Sequence, residues 1–132
     1  MPRNMSFAMT TPQFIAETKG VTRRQGWWFL NPGDLVQGVK KAMGLKKGEK
    51  VERLKRIVIV STWWEPIYLV DQEECIKEGF PDLTPEQFID MYCTHNICCP
   101  DDVCNRIAYQ YTCDCPFDEK ENFELDGMNC FC

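Results

Sequence analysis

The segment Val51–Thr62 constrains the fold most. At its centre Ile57-Val58-Ile59-Val60 is β-branched throughout, and no uninterrupted apolar run in the chain is longer. Such side chains are stiff at χ1 and suit a pleated sheet. The segment therefore reads as a long central strand whose apolar run suits burial on both faces. The same run is far too short to cross a membrane, which takes about 20 apolar residues.

A central strand needs partners. Met5–Thr10 is short and mostly apolar and reads as a first strand. Asn31-Pro32-Gly33-Asp34 is a turn, and Leu35–Val39 follows it as a strand. Arg106–Thr112 places Ile107, Tyr109 and Tyr111 on one side and reads as a closing strand. Thr18–Arg24 reads as a polar segment with a basic end.

Short helices lie between the strands. Thr11-Pro12 looks like a helix start, with Thr11 as N-cap and Pro12 in the first turn. Phe14 and Ile15 would face the core, and Gly20 sets the latest end of that helix. Asp71-Gln-Glu-Glu74 fits a capping box, with Gly79 as the C′ residue beyond about Glu78. Thr84-Pro-Glu-Gln87 is a second capping box, with Leu83 and Phe88 placed for a hydrophobic staple. Phe88, Ile89 and Tyr92 share one face of that helix. Strands and helices out of strict βαβ order imply an α+β fold around a small barrel.

The 132 residues suffice for one domain. With 44% hydrophobic and 27% charged residues the chain is a folded one, not a disordered one. Met1–Thr10 has no long apolar core after Arg3, so the expectation is a cytoplasmic protein without membrane partners.

The net charge of −5 hides two blocks. Lys19–Arg56 holds eleven basic residues against three acidic, whereas Ile57–Cys132 holds sixteen acidic against three basic. Such asymmetry suits either an anion-binding face or two solvated faces that attract each other within the fold.

Of the nine cysteines, eight lie in the last 40 residues. The odd count and the absence of an export signal weigh against a closed disulfide framework. Cys113-x-Cys115 and Cys130-x-Cys132 could supply four thiolates to a structural zinc. Cys93, His95, Cys98, Cys99 and Cys104 form a second pool of ligands, and a Cys–His dyad stays open there. Free thiols are the remaining alternative. Gly44-Leu-Lys-Lys-Gly48 lacks the Lys-Ser/Thr of a phosphate loop, and no Gly-x-Ser-x-Gly elbow is present.

The most informative stretch is Lys19-Gly-Val-Thr22-Arg23-Arg24. Together with the Asn31–Asp34 turn, the 78–92 helical region and the 105–112 strand, it resembles the ASCH domain of the PUA-like superfamily of small β-barrels. The resemblance covers residues 5–112 and is similar to small ASCH proteins of phage and prophage genomes. It implies a domain over 1–112 followed by an acidic, Cys-rich tail over 113–132. A phage origin would place the protein in the host cytoplasm.

Some small ASCH proteins are amidohydrolases acting on N4-acetylcytidine. The resemblance implies a catalytic Lys19, Thr22 and Glu78, with Arg24 as a further match and no cofactor needed for catalysis. Here Thr18 stands where the family often has Gly. The residue types suit the chemistry: a Thr hydroxyl needs a base, and burial beside Arg23 and Arg24 would lower the pKa of Lys19. Glu65 is a second acid candidate at the end of the central strand. Trp27-Trp28 and Trp63-Trp64, if extended, each send one ring to either face, and Trp27 is the candidate for stacking on a nucleobase. Arg23, Arg24, Trp27 and Glu65 thus form the substrate-binding set. The alternative is a non-catalytic module that binds RNA or a modified base through the basic block.

Overall fold

A computed structural model describes residues 3–42 and 45–112. Strands β1 (Arg3–Ser6), β2 (Val21–Arg24), β3 (Leu35–Val39), β4 (Arg53–Pro66) and β5 (Val103–Tyr111) form one curled sheet in the order β1-β3-β4-β5-β2. The β1–β3 pair is parallel and the other three are antiparallel. Helices α1 (Thr11–Ile15), α2 (Gln72–Lys77) and α3 (Pro85–Asn96) pack around this half-barrel. The architecture is α+β. No helix among the described residues is long and apolar enough to cross a membrane.

The 14-residue β4 is the backbone of the sheet. Its register shifts against β5 between Ile59 and Ser61, and β3 shifts against β4 between Gln37 and Val39. Bulges of this kind increase local twist and bend a sheet towards closure. The two edge strands meet where the Arg24 guanidinium donates to the Ser6 carbonyl at 2.6 Å.

The apolar run of β4 obeys the two-residue period more strictly than expected. Ile57 and Ile59 are fully buried, but Val60 is 47% exposed, so only one face enters the core. That face joins Met5, Phe7, Phe14, Leu30, Val36, Ile107 and Tyr109. Gly38 leaves room for Phe14: a Cβ there would lie 2.5 Å from the ring. A second cluster holds Ile67, Val70, Cys75, Phe88, Tyr92 and Cys104 beneath α2 and α3.

Several local signals are met by the structure. The Asp71 carboxylate accepts from the Glu74 amide at 2.9 Å, and Thr84 and Gln87 make both bonds of their capping box. Gly79 takes φ +96 just beyond α2. The start of the chain departs from expectation. The strand covers only Arg3–Ser6, a 3-10 turn spans Ala8–Thr10, and the N-cap of α1 is Thr10. The Thr11 hydroxyl donates back to the Phe7 carbonyl instead of capping, and Ile15 is half exposed.

Candidate active site

The segment read as polar, residues 18–24, contains a buried strand. Val21, Thr22 and Arg23 are each 4% exposed because β2 pairs with β5 over Val21–Arg24. The preceding Lys19-Gly20 is clamped from both sides. The Gly20 amide donates to the Lys77 carbonyl at 2.9 Å, satisfying a helix-end acceptor. The Gly20 carbonyl accepts from the Tyr109 amide at 3.0 Å, and the Tyr111 hydroxyl donates to the Lys19 carbonyl at 2.6 Å.

Glu78 arrives from the other direction as the C-cap of α2. A carboxylate there faces the negative helix end, so it requires cations. Two supply them. Lys19 Nζ lies 3.6 Å from Glu78 Oε1, and the Arg23 guanidinium donates to Glu78 Oε2 at 3.0 Å. Burial lowers the Lys19 pKa to about 8; Glu78 opposes this, while Arg24 and Arg23 reinforce it.

Arg23 is the hub of a larger network. Its other nitrogen donates to Glu65 at 2.9 Å and to Glu74 at 2.6 Å. Glu74 also accepts two bonds from Arg106, at 2.7 and 3.1 Å. These bonds from Arg106, opposed by partial burial and helped by Arg23, hold the Glu74 pKa at about 2. In the sequence Glu74 reads only as the capping-box partner of Asp71 and Arg106 only as a strand residue; the Glu74 carboxylate bonds Arg23 and Arg106 instead of closing that box. Glu74 stands four residues before Glu78, the spacing that puts two side chains on one helix face, and that was the available signal.

Lys19, Thr22, Arg23, Arg24, Trp27 and Glu78 line one cleft of about 540 Å³. Thr22 Oγ1 accepts from Arg24 Nε at 3.1 Å. Lys19 and Thr22 share the cleft without a hydrogen bond between them. Glu65 is tied to Arg23 and, through its other oxygen, to the Trp63 indole at 2.7 Å, behind the cleft wall. Tyr92 and His95 of α3 also line the cleft.

Trp27 is not extended. Its φ of +59 lies in a turn after β2, with its ring partly buried against the core and facing the cleft. The Trp27-Trp28 pair therefore does not alternate across a strand. Trp63 and Trp64 do lie on β4, at 46% and 62% exposure.

The zinc expectation divides in two. Cys113, Cys115, Cys130 and Cys132 lie outside the described residues. The pool of Cys93, His95, Cys98, Cys99 and Cys104 is not a metal site, since no group of three or more such ligands converges among the described residues. The reason is geometric: Cys104 is buried on β5 in the second core cluster, whereas His95 faces the cleft. No cysteine lines the cleft beside His95 among the described residues.

A curled five-stranded sheet with short helices packed around a cleft defines a small α+β module. It has the ASCH-domain fold. It superimposes on an ASCH domain from Lactobacillus crispatus JV V101 with a TM-score of 0.55 and 13% identity, over 83% of this chain and 78% of that one. A DUF984-family protein from Enterococcus faecalis V583 gives a TM-score of 0.60 and 13% identity, over 84% and 80%. No family model matches the sequence, and no curated protein matches it.

Proposed function

We propose that this cleft hydrolyses the exocyclic amide of an N4-acylated cytosine nucleoside, with Thr22 as nucleophile and Lys19 as general base. One observation carries the reading: a lysine with its pKa lowered to about 8 shares a buried cleft with a threonine hydroxyl already bonded to an arginine. A lysine near neutrality is an effective base, and a threonine hydroxyl needs one.

The steps follow from these groups. Neutral Lys19 takes the Thr22 hydroxyl proton when substrate draws the two together. Oγ1 bonds to the acyl carbon, and the carbonyl π electrons move onto oxygen. The Arg24 guanidinium beside Oγ1 stabilises negative charge there. As the carbonyl reforms, the carbon–N4 bond breaks and N4 takes the proton from Lys19, with Glu78 assisting. Water then attacks the acyl-Thr22 ester, Lys19 again accepting a proton. The acid leaves and the Thr22 hydroxyl is restored. Arg23 and Glu65 hold Glu78 and its surroundings in place, and the Trp27 ring offers a face to the base.

The deciding experiment is N4-acetylcytidine hydrolysis by the wild type beside Lys19→Ala and Thr22→Ala. Turnover that both variants lose while still folded supports the reading. Absence of turnover in well-folded wild-type protein overturns it in favour of a module that only binds.

A further inference from the structure

A second groove adjoins the cleft, and apart from Trp27 none of its residues has a part in the proposed chemistry. It has a volume of about 670 Å³ and shares Asn4 and Trp27 with the cleft, so the two are neighbours. Its other walls are Arg3, Gln25, Gly26, Phe29 and Arg53. Three properties distinguish it. First, it contains two cations and no carboxylate. Arg3 and Arg53 are exposed, and among the described residues neither forms an ion pair. Second, it is aromatic: the Trp27 and Phe29 rings lie 5.5 Å apart, and the Arg3 guanidinium sits 4.7 Å from the Phe29 ring centre. Third, Gly26 leaves its floor open, with nothing within 4 Å of where a Cβ would stand.

Unpaired arginines beside an exposed Phe29 ring and a half-buried Trp27 ring match the chemistry of a single-stranded nucleic acid. The cations neutralise phosphates, and the rings stack on bases. A free nucleoside has no phosphate to offer the groove. A nucleotide next to the acylated cytosine in a strand would have one. We propose that the groove binds the neighbouring nucleotide of a single-stranded RNA, so that the substrate is an acylated cytosine within a strand. This rests on the cleft being the hydrolytic site.

Arg3 and Arg53 come from β1 and β4, on either side of β3, and their side chains point to solvent. Glutamine at both positions removes the charge without entering the core. The test compares a five-nucleotide RNA carrying a central N4-acetylcytidine with the free nucleoside, in wild type and in the R3Q/R53Q variant. The expected result is a higher kcat/KM for the strand in the wild type. The double variant loses about tenfold on the strand and keeps nucleoside turnover. Equal kcat/KM for strand and nucleoside in the wild type, or equal loss on both in the variant, overturns the proposal.

A second arm works even if no hydrolysis occurs. The same RNA without the acetyl group, fluorescently labelled, is titrated by anisotropy at several salt concentrations. Losing two phosphate contacts should make the slope of log K against log salt about 1.4 shallower in the variant. Identical binding and slope in the two proteins overturns the groove assignment, whatever the fate of the hydrolytic reading.

Discussion

Glu78 holds Lys19 and Arg23 on its two separate oxygens, at 3.6 and 3.0 Å, with the Lys19 and Glu78 side chains only 2% and 5% exposed. This places a lysine whose charge is disfavoured by burial against a carboxylate that favours it. Burial lowers the Lys19 pKa most, and the carboxylate opposes it and keeps the value at about 8.

The rate should therefore follow Lys19 ionisation. With Lys19 as base, kcat/KM should rise about tenfold per pH unit up to an apparent pKa near 8, then level off. Glu78→Gln removes the negative charge that favours the ammonium. Its acid limb should move to lower pH, whatever happens to the plateau. A limb that stays in place or moves up would separate Lys19 from the titration. The measurement is a pH–rate profile of both proteins.

The same ionisation has a stability consequence of opposite sign to an ordinary ion pair. Below pH 8 Lys19 holds its proton both folded and unfolded, and burying the ammonium costs about 3 kcal/mol. Between pH 8 and 10.5 the folded protein releases the proton while the unfolded chain keeps it, so this cost fades as pH rises. Lys19→Met leaves Glu78 bonded to Arg23. It should be the more stable protein at pH 7, with an advantage that shrinks towards pH 10.5. The difference between the two proteins is the quantity to measure by denaturant unfolding. Burial raises the Cys104 and Tyr109 pKa values in both, and these groups lower stability at high pH. A difference that is flat across this range contradicts the assignment.

Glu74 makes the opposite case. Its folded pKa near 2 lies below the ordinary 4.5, so its contribution is fully present above pH 4.5 and is lost as pH falls through 2. Allowing for partial solvent screening, Glu74→Gln should lose on the order of 2 kcal/mol at pH 7. The gap should close as pH approaches 2. Thermal unfolding across pH 2–7 checks this, and a gap that persists at pH 2 would place the effect elsewhere than in the charge.

These residues explain what was legible in the sequence and what was not. Caps and turns are local, so Asp71, Gly79, Thr84 and the Asn31–Asp34 turn could be read directly. Leu35–Val39 was bounded correctly for the same reason. The strand Val21–Arg24 was hidden because Arg23 looks like a surface residue. Its burial depends on Glu65, Glu74 and Glu78, which lie 42, 51 and 55 positions away. No local pattern reports such pairing. Trp27 was misjudged because a positive φ in a bulky residue is rare, so an extended pair was the natural expectation. Lys19, Thr22 and Glu78 were reached only through the resemblance to a known domain, and they line one cleft. The charge asymmetry had a partly internal explanation: basic Arg23 of one block is neutralised by three acids of the other.

Gly79 offers a test that separates backbone from site. Its φ of +96 already disfavours any L side chain, and a Cβ would stand 3.2 Å from Lys19 Cβ and from the Gln13 side chain. Gly48 has a similar φ of +82 but nothing within 4 Å. Both Gly79→Ala and Gly48→Ala should lose about 1–2 kcal/mol for the backbone alone. Gly79→Ala must also displace Lys19, because the Gln13 amide is held by the Gly79 carbonyl at 3.0 Å and cannot easily retreat. Hydrolysis by Gly79→Ala should therefore fall well below that of Gly48→Ala at matched folded fraction. Equal activities in the two variants would mean that the position of Lys19 is not what the turnover depends on.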